Sequence, residues 1–191
     1  MADLGDRALF DELVASGDEY LTFCGVLGLG AVAAAGDAEV LARLRSWAAD
    51  DRWRVREGVA MALQRLGDAD LPRLLAVVLD WADDPDPLVQ RAAAAAICEP
   101  RLLTGTEAAA VAVDVCRRTT AALAGRPADR RRDPDVRTLR QGLGYCWSVA
   151  VAADPGPGLA VFARLDQVAD ADVAWIVREN RTKKRLATLL G

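Results

Sequence analysis

The sequence runs to 191 residues, enough for one domain with a sizeable core. Its 24 basic and 28 acidic residues leave a net charge of −4, and it contains no histidine, which excludes Ser-His-Asp and Cys-His nucleophilic machinery and the common imidazole metal sites. No window reaches the roughly 18 uncharged apolar residues that a membrane-spanning helix requires, so a cytoplasmic protein with no membrane partner is expected.

Ala, Val and Leu dominate and aromatics are few, which favours an all-α fold of closely packed helices. The start, "MADLGDRALFDEL", is acidic and amphipathic and lacks the basic region and apolar stretch of a signal peptide. In "GVLGLGAVAAAGD", Gly25, Gly28 and Gly30 do not follow the G-x-G-x-x-G order and no strand precedes them, so they read as close-packing residues of a helix. Gly36 and Gly67 are placed to close helices in left-handed turns, with Asp37 and Asp68 capping the helices that follow. Val55, Val59, Ala62, Leu63 and Leu66 form one apolar stripe, and Leu71, Leu74, Leu75, Val78 and Leu79 form another. Asp86 followed by Pro87 starts a further helix. Cys24, Cys98, Cys116 and Cys146 are widely spaced without a C-x-x-C pair, and they read as buried thiols.

These segments repeat. Setting "WAADDRWRVREGVAMAL" on "WADDPDPLVQRAAAAAI" superposes Trp47 on Trp81, Asp50 on Asp84, Val55 on Val89, Ala60 on Ala94 and Leu63 on Ile97. The offset lies in the range of about 30 to 47 residues that marks helical-repeat arrays. A third copy is read in "DVAWIVREN", with Asp172 and Val177 matching Asp50 and Val55, so "WRVREG" and "WIVREN" are expected on equivalent inner helices. Each repeat is a pair of helices whose apolar stripe is buried only by stacking on its neighbours.

The second half is less regular. One long helix is predicted over Thr106 to Ala124, then an exposed loop at "GRPADRRRDPD", then a second long helix from Val136 to Ala153 carrying Leu139, Leu143 and Cys146 on one face. "DPGPG" is read as a break. The final stretch places Thr182, Lys184 and Arg185 where the earlier copies carry Ala60, Ala62 and Leu63, which suits an end-cap facing water.

The D-x-x-x-x-V-[RQ] step at Asp50, Val55 and Arg56, again at Asp84, Val89 and Gln90 and at Asp172, Val177 and Arg178, resembles the HEAT repeat. The resemblance implies a right-handed α-α superhelix, an α-solenoid of about five helical pairs. It implies one domain over residues 1–191, with the clearest repeats at 36–103, a loop at 125–135 and cap helices at 172–190. It also implies a polar ladder in which Arg56 and Arg178 tie one repeat to the next.

Function is read from surface chemistry. Residues 1–50 carry 3 basic and 9 acidic side chains, residues 51–100 carry 6 and 9, and residues 101–191 carry 15 and 10. Arg130, Arg131 and Arg132 form one basic cluster, and Arg178, Arg181, Lys183, Lys184 and Arg185 another. The favoured reading is a non-enzymatic scaffold that grips a protein or peptide on its concave helices, with Trp53, Arg54, Glu57, Arg91, Trp175 and Arg178 as contacts; Trp47 and Trp81 are assigned to packing between repeats. The chain is also similar in overall plan to HEAT-like bacterial DNA glycosylases that excise alkylated purines. That similarity implies nucleic-acid binding, with Trp53 or Trp175 stacking and Arg54, Arg56 or Arg178 reaching phosphate, joined by Arg181, Lys183, Lys184 and Arg185. No catalytic motif of that family matches, so no catalytic residue is assigned, and a sequence pI of about 5.0 opposes strong duplex binding. No metal or cofactor is expected, and the oligomeric state is read as a monomer or weak oligomer.

Overall fold

The structure, a computed structural model, describes residues 5–191; the first four residues of the acidic start lie outside them. The described residues hold helices and no strand. They are α1 (Arg7–Ala15), α2 (Glu19–Ala34), α3 (Ala38–Trp47), α4 (Trp53–Ala69), α5 (Leu71–Ala82), α6 (Pro87–Ile97), α7 (Thr106–Ala124), α8 (Pro134–Ala153), α9 (Pro155–Ala163), α10 (Ala171–Arg181) and α11 (Lys184–Leu190). This is the all-α class expected of an α-solenoid. The chain forms two compact units, residues 1–76 and 77–191, the division falling inside α5.

In the first unit α1 packs on α2, and α2 lies along α4. Glycine makes that second contact possible. A Cβ on Gly30 would sit 2.7 Å from the Ala62 Cα of α4, and one on Gly58 would meet the Phe23 ring at 3.1 Å, so both helices approach backbone to backbone. Val55, Val59, Ala62, Leu63 and Leu66 are fully buried as the stripe requires. Caps also follow the sequence: Asp37 Oδ1 accepts from the Val40 amide at 3.1 Å, and Gly36 holds φ at +107°, the left-handed conformation that favours glycine.

Gly67 and Asp68 behave differently. α4 runs through both without a positive φ and ends at Asp70, which caps α5 by accepting from the Arg73 amide at 3.1 Å. The expected stop is corrected by one short step along the chain, because Asp70 supplies the same capping chemistry and Gly67 lies buried within the helix.

In the second unit α8 is the central helix, touching α6, α7, α9, α10 and α11. Its Trp147 is fully buried, tilted against Phe162 with centroids 5.6 Å apart, and its Nε1 donates to Thr120 Oγ1 at 3.0 Å. α7 spans the predicted residues. "DPGPG" is a boundary between helices rather than a lasting break: the chain turns at Asp154, and both prolines enter the first turn of α9, where a missing N–H costs nothing. The loop after α7 is tied down. Arg131 donates to the Arg126 carbonyl at 3.0 Å and pairs with Asp170, so the middle of the arginine run is partly buried and engaged.

Candidate interaction surface

The register of the repeat can be read directly from hydrogen bonds. Before α4, Asp50 Oδ1 accepts from the Arg52 amide at 2.8 Å, and before α6, Asp84 Oδ1 accepts from the Asp86 amide at 2.9 Å. Arg56 Nη1 donates to the Asp50 carbonyl at 2.6 Å, and Gln90 Nε2 donates to the Asp84 carbonyl at 2.8 Å. All three pairs of positions, 50 and 84, 52 and 86, 56 and 90, keep the 34-residue offset. Arg56 and Gln90 therefore clamp the turn of their own repeat, in place of the ladder between repeats expected of Arg56. Asp50 is held below the usual carboxylate range by the Arg52 guanidinium, which donates to it twice at 2.9 Å, against the opposing effect of burial.

The third copy falls one turn out of step. The residue that caps α10 is Asp170, accepting from Asp172 at 2.9 Å and Val173 at 3.1 Å; Asp172 lies inside the helix and bonds Arg140 at 2.8 Å. Counted from the helix start, Val173 matches Val55 and Val89, and all three are buried. "WRVREG" and "WIVREN" thus occupy unlike surroundings. Trp53 is the first residue of α4 and 56% exposed, whereas Trp175 is the fifth of α10, half-buried against Gly144 with the Arg140 guanidinium 4.7 Å above its ring. A shift of one turn keeps residues on nearly the same face of a helix, which is why the apolar pattern alone accepted the wrong alignment.

With the corrected register, Glu57, Arg91 and Trp175 share one position, the fifth residue of α4, α6 and α10, and all three are partly exposed. Arg178 falls instead where α4 and α6 carry the buried Ala60 and Ala94, and Arg181 where they carry Leu63 and Ile97. In α10 both arginines are exposed and line an open trough with Leu165 and Val168, and Arg181 pairs with Asp166 at 2.7 Å. Arg178 therefore belongs to a different surface from Trp175.

In the first unit the exposed edges of α2 and α4 carry large side chains. Tyr20 is 62% exposed and stacks on Phe23 at 6.2 Å; Trp53 is covered on one face by the Arg54 guanidinium at 4.6 Å, and Arg54 reaches Glu19 at 3.3 Å. Glu57 and exposed Met61 continue along α4. Sequence reasoning missed Tyr20, whose exposure at a helix start has no periodic signal. Trp47 and Trp81 divide: Trp81 is buried, while Trp47 is half-buried beneath Arg43 at 4.9 Å.

The remaining basic residues are mostly engaged. Lys183 pairs with Glu179 at 3.9 Å, and Arg185 lies 5.2 Å above the Tyr145 ring while donating to its hydroxyl at 3.0 Å. Three of the four cysteines, far apart in sequence, meet in the second unit: Cys98 and Cys116 are 3.7 Å apart, sulfur to sulfur, and Cys146 adjoins Cys98. The Cys98 thiol is pushed well up by its neighbour Cys116 and by burial, and the Cys116 thiol by burial, so both stay protonated and unreactive. Among the described residues no group of three or more acidic or cysteine side chains is arranged to hold a metal ion, and no helix is long and apolar enough to cross a membrane.

Comparison with known sequences places HEAT repeats over residues 7–99. No curated protein and no solved structure matches the chain.

Proposed function

Starting from a chain whose residues 7–99 are HEAT repeats, we propose that this protein is a non-enzymatic interaction module whose α2 and α4 grip a protein or peptide partner. The observation that carries the reading is Trp53: a tryptophan 56% exposed at the start of a repeat helix, stacked under Arg54, with Tyr20 exposed on α2 and Met61 exposed further along α4. Tryptophan is usually largely buried, and exposed Trp, Tyr and Arg clusters are the side chains that dominate protein interfaces. Arg91 and Trp175, at the position equivalent to Glu57, are further contacts on their own helices.

A nucleic-acid role of the alkylpurine glycosylase kind has less support. Arg181, Lys183 and Arg131 are paired with carboxylates, which leaves fewer cations to neutralise phosphates.

The test begins with proteins captured by the purified chain, each then purified and titrated against it. Trp53→Ala and Tyr20→Ala should each weaken a genuine pair by about tenfold or more while leaving thermal unfolding unchanged. A pair whose affinity stays within about twofold in both variants, or the absence of any reconstituted pair, would refute the proposed face.

A further inference from the structure

The exposed edge of α8 changes character along its length. Its first turns present Arg137 and Gln141; beyond Tyr145, the partly exposed Ala152 and Ala153 join Pro100 from the turn after α6 around an open trough of about 450 Å³, which the largely buried Val149 and Leu103 also line. All of these walls are aliphatic. The single charged wall is Arg185, from α11.

Arg185 is already oriented. Its guanidinium rests on the Tyr145 ring at 5.2 Å and one nitrogen donates to the Tyr145 hydroxyl at 3.0 Å. A guanidinium has five N–H donors in a planar fork, and among the described residues no carboxylate pairs with this one, so the remaining donors are available at the mouth of the trough. The nearby acid, Glu99, is bonded to Arg101 at 3.3 Å.

We propose that this trough is a docking site for a short acidic peptide segment of a partner protein, with an apolar side chain seated among Leu103, Val149 and Ala152 and a carboxylate bonded by Arg185. An aliphatic trough with one pre-oriented guanidinium at its rim matches an apolar residue next to an acidic one, and a charge-assisted Arg–carboxylate bond supplies direction. Single-stranded nucleic acid fits the site less well, because such strands stack on open aromatic faces and the Tyr145 face is covered by Arg185. This site is in the second unit and does not depend on Trp53.

The experiment is selection of a phage-displayed random-peptide library on the full chain, followed by fluorescence anisotropy of the recovered peptides. Recovered sequences should pair Asp or Glu with Leu, Ile or Phe, and should bind more weakly as salt is added. Arg185→Glu should lose at least about tenfold in affinity, and Ala152→Gln, which fills the trough without placing a carboxylate beside Arg185, should lose as much. Trp53→Ala should bind these peptides like the parent, which separates this site from the α2–α4 face. Circular dichroism confirms that the variants fold. The proposal is overturned if no peptide is enriched, if the recovered peptides lack acidic residues, if both variants bind within about twofold of the parent, or if a single-stranded oligonucleotide displaces the peptides at equal concentration.

Discussion

Asn180 sits where α4 carries Ala62 and α6 carries Ala96, yet it is as fully buried as they are. Its amide joins α10 to α8. Nδ2 donates to the Leu143 carbonyl at 2.8 Å and to the Ile176 carbonyl at 2.8 Å, while Oδ1 accepts from the Ser148 amide at 2.8 Å. Replacing it by Ala removes three bonds, each worth about 1 kcal/mol net. The Ser148 N–H, inside a buried turn of α8, would lose its Asn180 acceptor, and an unsatisfied buried donor costs about 1–3 kcal/mol. The void left by the amide adds to this. Asn180→Ala should therefore lower the free energy of unfolding by about 3 kcal/mol, read as a shift in urea midpoint at unchanged m. Asn180→Asp keeps the acceptor but loses both donors and buries a charge, so it should be the worse of the two. If Asn180→Ala unfolds within about 0.5 kcal/mol of the parent, the amide is not a structural tie and the register that places it between α10 and α8 is wrong.

Two further outcomes follow from geometry and charge. Gly30→Ala would drive a Cβ into the Ala62 backbone and should cost about 1–3 kcal/mol or more by overpacking, whereas Gly142→Ala meets only the flexible Arg91 Cγ at 3.3 Å and should be neutral or stabilising by up to about 1 kcal/mol through helix propensity; thermal melts of the two that coincide would refute the close α2–α4 contact. Asp50 is lowered chiefly by Arg52, and Asp114 and Asp170, despite burial pushing them up, are lowered by their arginine partners. Depressed carboxylates contribute stability above their unfolded pKa of about 3.9 and lose it as pH falls through the lower folded value. Unfolding midpoints should therefore hold above about pH 5 and fall steeply below about pH 4, less so in Asp170→Asn; a flat profile down to pH 2.5 would show that these pairs contribute nothing.

Much of the fold was legible because helix periodicity and capping are local. The stripe on α4, the Asp37 and Asp86 caps and the span of α7 needed only neighbours along the chain. The meeting of Cys98, Cys116 and Cys146 was not legible, since three residues on three helices carry no shared spacing. Asn180 was invisible for a related reason: a lone polar residue in an amphipathic helix looks like surface until its partners on another helix are known. Of the candidate contacts, Trp53 and Arg54 stand on the exposed edge of α4, but nothing in a sequence distinguishes an exposed tryptophan from one that, like Trp81, is buried.

The misplaced third copy shows how the end of the array is built. Taken one turn late, the alignment assigned the polar end-cap to Thr182, Lys184 and Arg185. The cap chemistry is there, but it resides at Arg178 and Arg181, the positions that α4 and α6 fill with buried Ala60, Ala94, Leu63 and Ile97. Alanine and leucine at those places are required where the helix is covered, and arginine is admissible only where water takes the place of a neighbour, because an uncompensated buried guanidinium would cost several kcal/mol. Arg178→Leu is therefore permissible for the fold but would leave an exposed apolar strip continuous with Leu165, Val168 and Val177. The arginines thus make the terminal face of the second unit soluble and keep its apolar trough from becoming a surface for indiscriminate stacking.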